Sequence, residues 1–151
     1  MRKAGLITGG ALVAAGEAIH AGMTTKELDT VVRKYITSHG AKPSFLGYGG
    51  FPGSACISIN DVVIHGIPGP QVIKDGDIVS VDVGAYIGGF HGDSCKTFAV
   101  GEVSEEAKAL MKSTEESLYL AISMVKPGVR LGDLGAAIQK YNEDNGYGVV
   151  R

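Results

Sequence analysis

The sequence predicts an α+β fold, because helical and β-type patterns occupy separate blocks of the chain. Apolar residues recur at helical spacing before residue 41 and again after residue 103, whereas short β-branched runs fill residues 45–100. The chain has 151 residues, of which 44% are hydrophobic and 20% charged, enough for one domain with a buried core. We expect two helices, an antiparallel sheet, two more helices and the start of a strand.

The first block contains two helices. Residues 2–21 form a helix rich in small residues that ends near Gly22. Thr24 and Glu27 match a capping box, which opens a second helix that Gly40 ends. The central block predicts strands in four segments, ACISIN, DVVIHGI, GDIVSVDVGAY and GFHGDSCKTFAV.

The last block predicts a second helix pair. Ser104 caps a helix that runs to about Val125, Pro127 and Gly128 follow it, and LGDLGAAIQKYNEDNG forms a fourth helix before a short apolar stretch at 147–150. A shift of 106 positions aligns this pair with the first, placing Gly22, Leu28, Lys34, Tyr35 and Gly40 on Gly128, Leu134, Lys140, Tyr141 and Gly146. Two similar helices could also coincide by chance. We interpret residues 1–103 as a first pseudo-repeat and 104–151 as the helical start of a second, within a single incomplete domain.

Charge and cysteine content narrow the class of protein. The net charge is −2 and the isoelectric point about 6.1, without the basic stripe of a nucleic-acid-binding protein. Two cysteines are too few for a disulfide-stapled secreted scaffold, so we expect a cytoplasmic protein. The basic start and apolar stretch after Met1 imitate a secretory signal, but Glu17 and His20 follow at once and no small-residue cleavage site is present. No apolar run is long enough to span a membrane.

Two aspartates form the sharpest chemical signal. If Ile87 and Gly88 form a two-residue hairpin turn, Asp82 lies directly opposite Asp93. Opposed side chains have Cβ atoms about 4.5 to 5.5 Å apart, where two like charges destabilise a sheet. Either a shared proton or bound cations such as Mn, Co, Fe or Zn would compensate. The alternative is a different register, in which each Asp is a solvated or turn residue.

His65 stands at the end of the apolar segment DVVIHGI, just before a turn. Isolated histidines of this kind are often hydrogen-bonded structural residues. Beside a metal site, His65 could bind the metal, orient substrate or exchange protons with it.

The segment FLGYGGFPGSAC, residues 45–56, is rich in aromatic residues and glycine. Its aromatic side chains can line an apolar pocket, although packing of a loop on the core explains them equally well. We expect Cys56 to line the pocket as a polarizable side chain and not to act as a nucleophile. We expect Cys95 to be a small buried residue on the same face of the strand as Asp93. The pocket candidates are Phe45, Tyr48, Phe51 and Cys56.

Three long segments carry a family resemblance. ACISINDVVIHGIPGP, KDGDIVSVDVGAYIGGFHGDSCKTF and ESLYLAISMVKPGVRLGDLGAAIQKY closely resemble the type I methionine aminopeptidases, and the match runs along the whole chain. The resemblance implies the pita-bread fold, with the first ααβ half complete and the second half truncated after its helices. It also implies removal of N-terminal methionine from nascent proteins by metal-activated water attack on the first peptide bond.

The resemblance further implies a set of site residues. Asp82 and Asp93 match two ligands of a dinuclear centre, with Asp93 bridging and Asp82 chelating one of two divalent ions, which could be Co, Mn, Fe or Zn. His65 matches the histidine that contacts substrate, and is therefore the catalytic candidate. Tyr48, Phe51 and Cys56 match the methionine pocket, while Phe45 stands where cysteine is common. The resemblance also implies ribosome association and a monomeric complete enzyme.

The remaining ligands of the family, one His and two Glu, would lie beyond Arg151. We therefore expect weak or partial metal binding and leave three hypotheses open. The chain is a metalloaminopeptidase, active alone or after completion by a missing segment; it is a non-catalytic pita-bread fragment that acts as an interaction module; or it belongs to a dinuclear metallopeptidase of the prolidase type.

Overall fold

The structure, a computed structural model, describes residues 1–150 and divides into two units between Val103 and Ser104. The order of elements confirms the predicted α+β class. The first unit contains α1 (Arg2–Ala18), α2 (Thr25–Ser38), β1 (Lys42–Pro43), a 3-10 turn (Tyr48–Gly50), β2 (Ala55–Ile59), β3 (Ile78–Ile87) and β4 (Phe90–Ala99). The second contains α3 (Glu105–Met124) and α4 (Leu131–Asp144).

Helix α2 begins with the predicted capping box. The backbone N–H of Glu27 donates to Thr24 Oγ1 at 3.2 Å, and the N–H of Thr24 donates to Glu27 Oε2 at 2.8 Å. This exchange satisfies two donors that the first turn of a helix leaves unpaired. The helix ends before Gly40, whose φ of +71° suits glycine. Helix α1 ends at Ala18, earlier than the predicted position 21.

The sheet of the first unit is antiparallel, as predicted, and β3 is its centre. Strand β4 pairs with one side of β3, and the short strands β1 and β2 pair one after the other with its opposite side. The sheet packs one face on α1 and α2. Because side chains alternate along a strand, every second residue of β3 points to that face.

The core lies between this sheet and the two helices. Val79, Val81 and Val83 of β3 are fully buried there, together with Leu28 and Val32 of α2. Each such side chain contributes about 1.5 to 3 kcal/mol of hydrophobic stabilisation. The alternate residues form what we call the polar face of the sheet, which points away from α1 and α2: Cys56, Ser58, Ser80, Asp82, Gly84, Asp93, Cys95 and Thr97.

The predicted strand DVVIHGI is wrong, because residues 61–67 form a loop. Its β-branched side chains are exposed, with Val63 and Ile64 each 65% accessible. The chain leaves β2 at Asn60, whose φ is +51° and whose side chain binds Asp77 and the N–H of Ile78 at 2.8 and 3.0 Å. These bonds turn the chain away from the sheet, so β propensity alone cannot form a strand there. The stretch 147–150 likewise has no regular structure.

In the second unit, Ser104 caps α3 as predicted, with its Oγ accepting the N–H of Ala107 at 3.1 Å. Helices α3 and α4 pack together around a buried bond, in which Ser113 Oγ donates to Asn142 Oδ1 at 2.9 Å. Among the residues that the structure describes, no helix is both long and apolar enough to cross a membrane.

Candidate metal centre

The hairpin between β3 and β4 turns one residue later than predicted. Ile87 pairs with Phe90, so Gly88 and Gly89 form the two-residue turn. Their φ angles are +60° and +84°, and a tight hairpin turn with two positive φ values favours glycine at both positions. Because Ile87 is β-branched and tolerates a positive φ poorly, the predicted turn through Ile87 and Gly88 is wrong.

The corrected register places Asp82 opposite Cys95, and Asp93 opposite Gly84. The predicted direct opposition of the two aspartates is therefore wrong. The register differs by two residues, however, and a shift of two preserves the face to which each side chain points. Asp82 and Asp93 remain together on the polar face as diagonal neighbours, a separation of about 7 to 8 Å between α-carbons that side chains can bridge.

The two carboxyl groups act on each other electrostatically. Burial and the negative charge of Asp93 raise the pKa of Asp82 to about 6, while the nearby His65 opposes this rise. The atom Oδ1 of Asp82 is shielded from solvent and has no hydrogen-bond partner. A buried carboxylate oxygen without a donor is costly unless a proton or a cation neutralises it.

This donor set fits a divalent cation. Two carboxylates on one face supply the hard oxygen ligands that Mn, Co, Fe or Zn can accept, and the unpartnered oxygen of Asp82 is free for such a bond. Within residues 1–150, no group of three or more His, Cys, Asp or Glu side chains is arranged to hold a metal ion. The described residues therefore offer two neighbouring carboxyl groups, Asp82 and Asp93, and the assignment of these groups as metal ligands stays a prediction.

His65 lies in the loop next to this pair, not at the end of a strand. Its φ of +59° is unusual for a residue other than glycine. The following residue fixes the loop to β2: the N–H of Ile57 donates to the carbonyl of Gly66 at 2.9 Å, and the N–H of Gly66 donates to Ser58 Oγ at 3.1 Å. A Cβ at Gly66 would collide with the Ile57 carbonyl, so the close approach requires glycine.

The two cysteines flank Asp82 across the sheet. Cys56 pairs with Asp82 from β2 and is buried. Burial, followed by the charges of Asp82 and Asp93, raises the pKa of the Cys56 thiol to about 11, so the thiol is protonated at neutral pH and is a poor nucleophile. Cys95 pairs with Asp82 from β4 and is exposed, which corrects the expectation that it is buried.

The aromatic segment reaches the aspartate pair through Phe45. A Cβ built on Gly84 would stand 2.7 Å from the Phe45 ring, so this half-buried ring occupies the space above Gly84, the partner of Asp93. Phe51 is half-buried as well, whereas Tyr48 is 81% exposed. The structure thus brings Phe45 and Cys56 against the row that holds the aspartates.

Asp29 is a positioning residue that the sequence did not reveal. Its Oδ1 accepts the backbone N–H of Ser54 at 2.6 Å and of Ala55 at 2.8 Å. It thereby anchors the end of the aromatic segment to helix α2. The sequence gives no signal for this contact, because a lone Asp on the polar side of an amphipathic helix ordinarily faces solvent.

The comparison with known families assigns this fold to a class of metallopeptidases. The model of metallopeptidase family M24 matches residues 1–151, so the chain belongs to that family. Membership of a metallopeptidase family implies divalent metal ions. Relatives at about half identity are named methionine aminopeptidases, among them one from Clostridium perfringens and methionine aminopeptidase 2 of Mycobacterium tuberculosis, each 51% identical over the whole chain.

Solved structures give the same assignment of the fold. The crystal structure of methionine aminopeptidase from Thermotoga maritima superposes with a TM-score of 0.97 at 43% identity, and covers 100% of this chain and 61% of that one. The prolidase of Pyrococcus furiosus superposes with a TM-score of 0.86 at 27% identity, and covers 97% of this chain and 42% of that one. The predicted pita-bread fold is thereby confirmed. The chain spans 61% of the Clostridium perfringens relative and 53% of the Mycobacterium tuberculosis one.

Proposed function

We propose that this chain carries the first part of a methionine aminopeptidase, and that its polar face holds substrate and metal. The observation that carries the proposal is the pair Asp82 and Asp93, brought together on one face with a buried, unpartnered oxygen on Asp82. The identity of about 50% with enzymes named methionine aminopeptidase supports methionine as the residue removed.

In the proposed centre, the carboxylates of Asp82 and Asp93 would together hold the divalent ions. Bound divalent ions supply the Lewis acidity that activates water for hydrolysis of the first peptide bond. Mn, Co, Fe and Zn all suit carboxylate ligands, and with two ligands in the described residues we expect weak binding.

The other site residues act on the substrate. His65, held beside the pair by the Gly66 contacts, is proposed to hydrogen-bond the peptide during turnover and to exchange a proton with it. Phe45, Phe51 and Cys56 are proposed to line the pocket for the methionine side chain, a role that suits their apolar surfaces. Tyr48, which is exposed, is proposed to line the same pocket.

We also propose that the chain is built from pseudo-repeats, residues 1–103 and 104–151. The first and last residues of α4 each lie 106 positions after those of α2, which supports this division. The glycines that precede the two helices have φ angles of +94° at Gly22 and +92° at Gly128. In the complete enzyme we expect nascent peptides as substrates, a cytoplasmic location, ribosome association and a monomer.

Two other functions are distinguishable. A prolidase-type enzyme is favoured only by the structural likeness to prolidase, and it would cleave X-Pro peptides in preference to Met-Gly peptides. An interaction module without catalysis is favoured by the small number of ligands among the described residues, and it would bind a complementary chain without releasing methionine.

The test is methionine release from a peptide that begins Met-Gly, with added Mn or Co. The purified chain is compared with Asp93→Ala and with the control Asp144→Ala, which removes an exposed carboxylate paired with Lys140. Metal-dependent release that Asp93→Ala abolishes and Asp144→Ala retains would support the proposal. Preferential cleavage of X-Pro peptides would replace it with the prolidase-type function, and release unaffected by Asp93→Ala would overturn the metal site.

A further inference from the structure

The aromatic segment has few contacts that fix its position on the polar face. Gly47, Gly49 and Gly50 have φ angles of +84°, +57° and +84°, and the hydrogen bonds inside the segment are local ones such as Gly47 N–H to the Phe51 carbonyl at 2.8 Å. Its far end is anchored by Asp29. The location of Phe45 therefore depends on the N-terminal end of the aromatic segment, next to Ser44.

Ser44 is held to the sheet by two bonds. Its backbone N–H donates to the carbonyl of Gly84 at 2.9 Å, and a hydrogen bond of 2.8 Å joins its Oγ to Nδ1 of His91. His91 is fixed in turn by Tyr86, its cross-strand partner, because the two rings lie 4.7 Å apart between centroids and tilt by 42°. Lys42 of β1 pairs with the same Tyr86.

These contacts lie one row from the aspartates. His91 precedes Asp93 by two residues on β4, so both side chains point to the same face. Gly84, the partner of Asp93, has no side chain, and Phe45 and Ser44 Cβ occupy the space that a Cβ there would need, each 2.7 Å from it. A movement of Ser44 would therefore move the Phe45 ring relative to Asp93.

We propose that His91 is a positioning residue that holds Ser44 and thereby sets the depth of the pocket between Phe45 and the aspartate pair. The depth of the pocket determines which N-terminal side chain of a peptide fits, and this statement about specificity rests on the proposed function. The bond itself is a property of the metal-free chain and can be tested without catalysis.

The first arm of the test is nuclear magnetic resonance of the metal-free chain. The Hα proton of Gly84 that a Cβ would replace points toward Cε1 and Cζ of the Phe45 ring, so its chemical shift should carry a ring-current contribution. His91→Phe keeps a ring beside Tyr86 but loses the bond to Ser44, so at least half of that shift should disappear. Ser44→Ala should reduce the shift by a similar amount. The double variant should show no further reduction, because both substitutions remove the same hydrogen bond.

The matched control is His39→Phe, since His39 also stacks on a tyrosine, Tyr35, at 4.2 Å and also hydrogen-bonds through Nδ1, but at the C-terminal end of helix α2. It should leave the Gly84 shift unchanged. An unchanged shift in folded His91→Phe, or additive effects of the two site variants, would overturn the proposal.

The second arm measures binding of methionine amide and alanine amide in the presence of Mn. In His91→Phe the preference for methionine amide should fall by about fivefold, the effect expected for one net hydrogen bond. An unchanged preference, with the ring-current shift lost, would overturn the role in specificity. Absence of any metal-dependent binding in the unaltered chain would instead count against the proposed function.

Discussion

Asp82 and Asp93 occupy diagonal positions on β3 and β4, and each has a different residue directly across from it. Cys95 stands opposite Asp82, and Gly84 stands opposite Asp93. The diagonal offset separates the two backbones while the carboxyl groups still interact, and the bare Gly84 leaves room for Phe45 beside Asp93. One register thus positions both the charged pair and the aromatic ring next to it.

Burial of the Asp82 carboxyl group, together with the negative charge of Asp93, should destabilise the metal-free chain at neutral pH. The pKa of Asp82 is about 6 in the folded chain against an ordinary value of 3.8, so the folded state binds this proton more tightly than the unfolded state. The free energy of unfolding should therefore fall as pH rises from about 4 to about 6, and stay lower above that range.

Asp82→Asn removes this dependence. Near neutral pH, with chelator present, the variant should be more stable than the parent, because it lacks the destabilising charge of Asp82. The gain should be on the order of 1 kcal/mol, since solvent screens a group that is only half-buried. At about pH 3.5, where Asp82 is protonated in the folded state and mostly protonated in the unfolded state, the difference should shrink. Urea unfolding at the two pH values measures it. The gain in free energy of unfolding from Asp82→Asn should be larger at neutral pH than at acid pH. A larger gain at acid pH would contradict the electrostatic origin of the effect.

Gly84→Ala should disturb the aromatic segment. The added Cβ would meet Phe45 and Ser44 at 2.7 Å, and such overpacking costs about 1 to 3 kcal/mol. The control is Gly5→Ala in α1, where nothing lies within 4 Å of the new Cβ, and where alanine should stabilise the helix by about 1 kcal/mol. Thermal unfolding of both variants gives the comparison. Equal stability of Gly84→Ala and the parent would show that Phe45 does not occupy this space.

Asp29→Ala should release the far end of the aromatic segment. The variant leaves the N–H groups of Ser54 and Ala55 without their acceptor, which costs about 1 to 3 kcal/mol for a buried hydrogen bond to a charged group. Amide hydrogen exchange should accelerate at residues 51–55 while α1 stays protected. Uniform acceleration across the first unit would indicate global destabilisation instead of local release.

Much of the fold could be predicted because local signals and packing agree. The capping box at Thr24, the cap at Ser104 and the buried alternation in β3 all specify their own geometry within a few residues. The hairpin register could not be derived in the same way, since one misplaced turn residue shifts every pair in the ladder. Only a shift by an even number kept the two aspartates on one face.

The loop around His65 shows what local pattern cannot supply. Its β-branched residues predict a strand, but tertiary hydrogen bonds at Asn60 and Gly66 hold the chain as a loop. The anchoring role of Asp29 is invisible for the same reason, because its partners lie 25 and 26 residues away in the sequence. The family resemblance, not the spacing of residues, led to the role predicted for His65.

The most direct test of the metal site is a calorimetric titration of the metal-free chain with Mn, for the parent, Asp82→Asn, Asp93→Asn and the control Asp144→Asn. We predict saturable binding in the parent and the control, and its loss in both site variants, because each removes one of the two carboxylates that form the proposed site. Saturable binding that survives in both Asp82→Asn and Asp93→Asn would contradict the claim that this diagonal pair is the metal site.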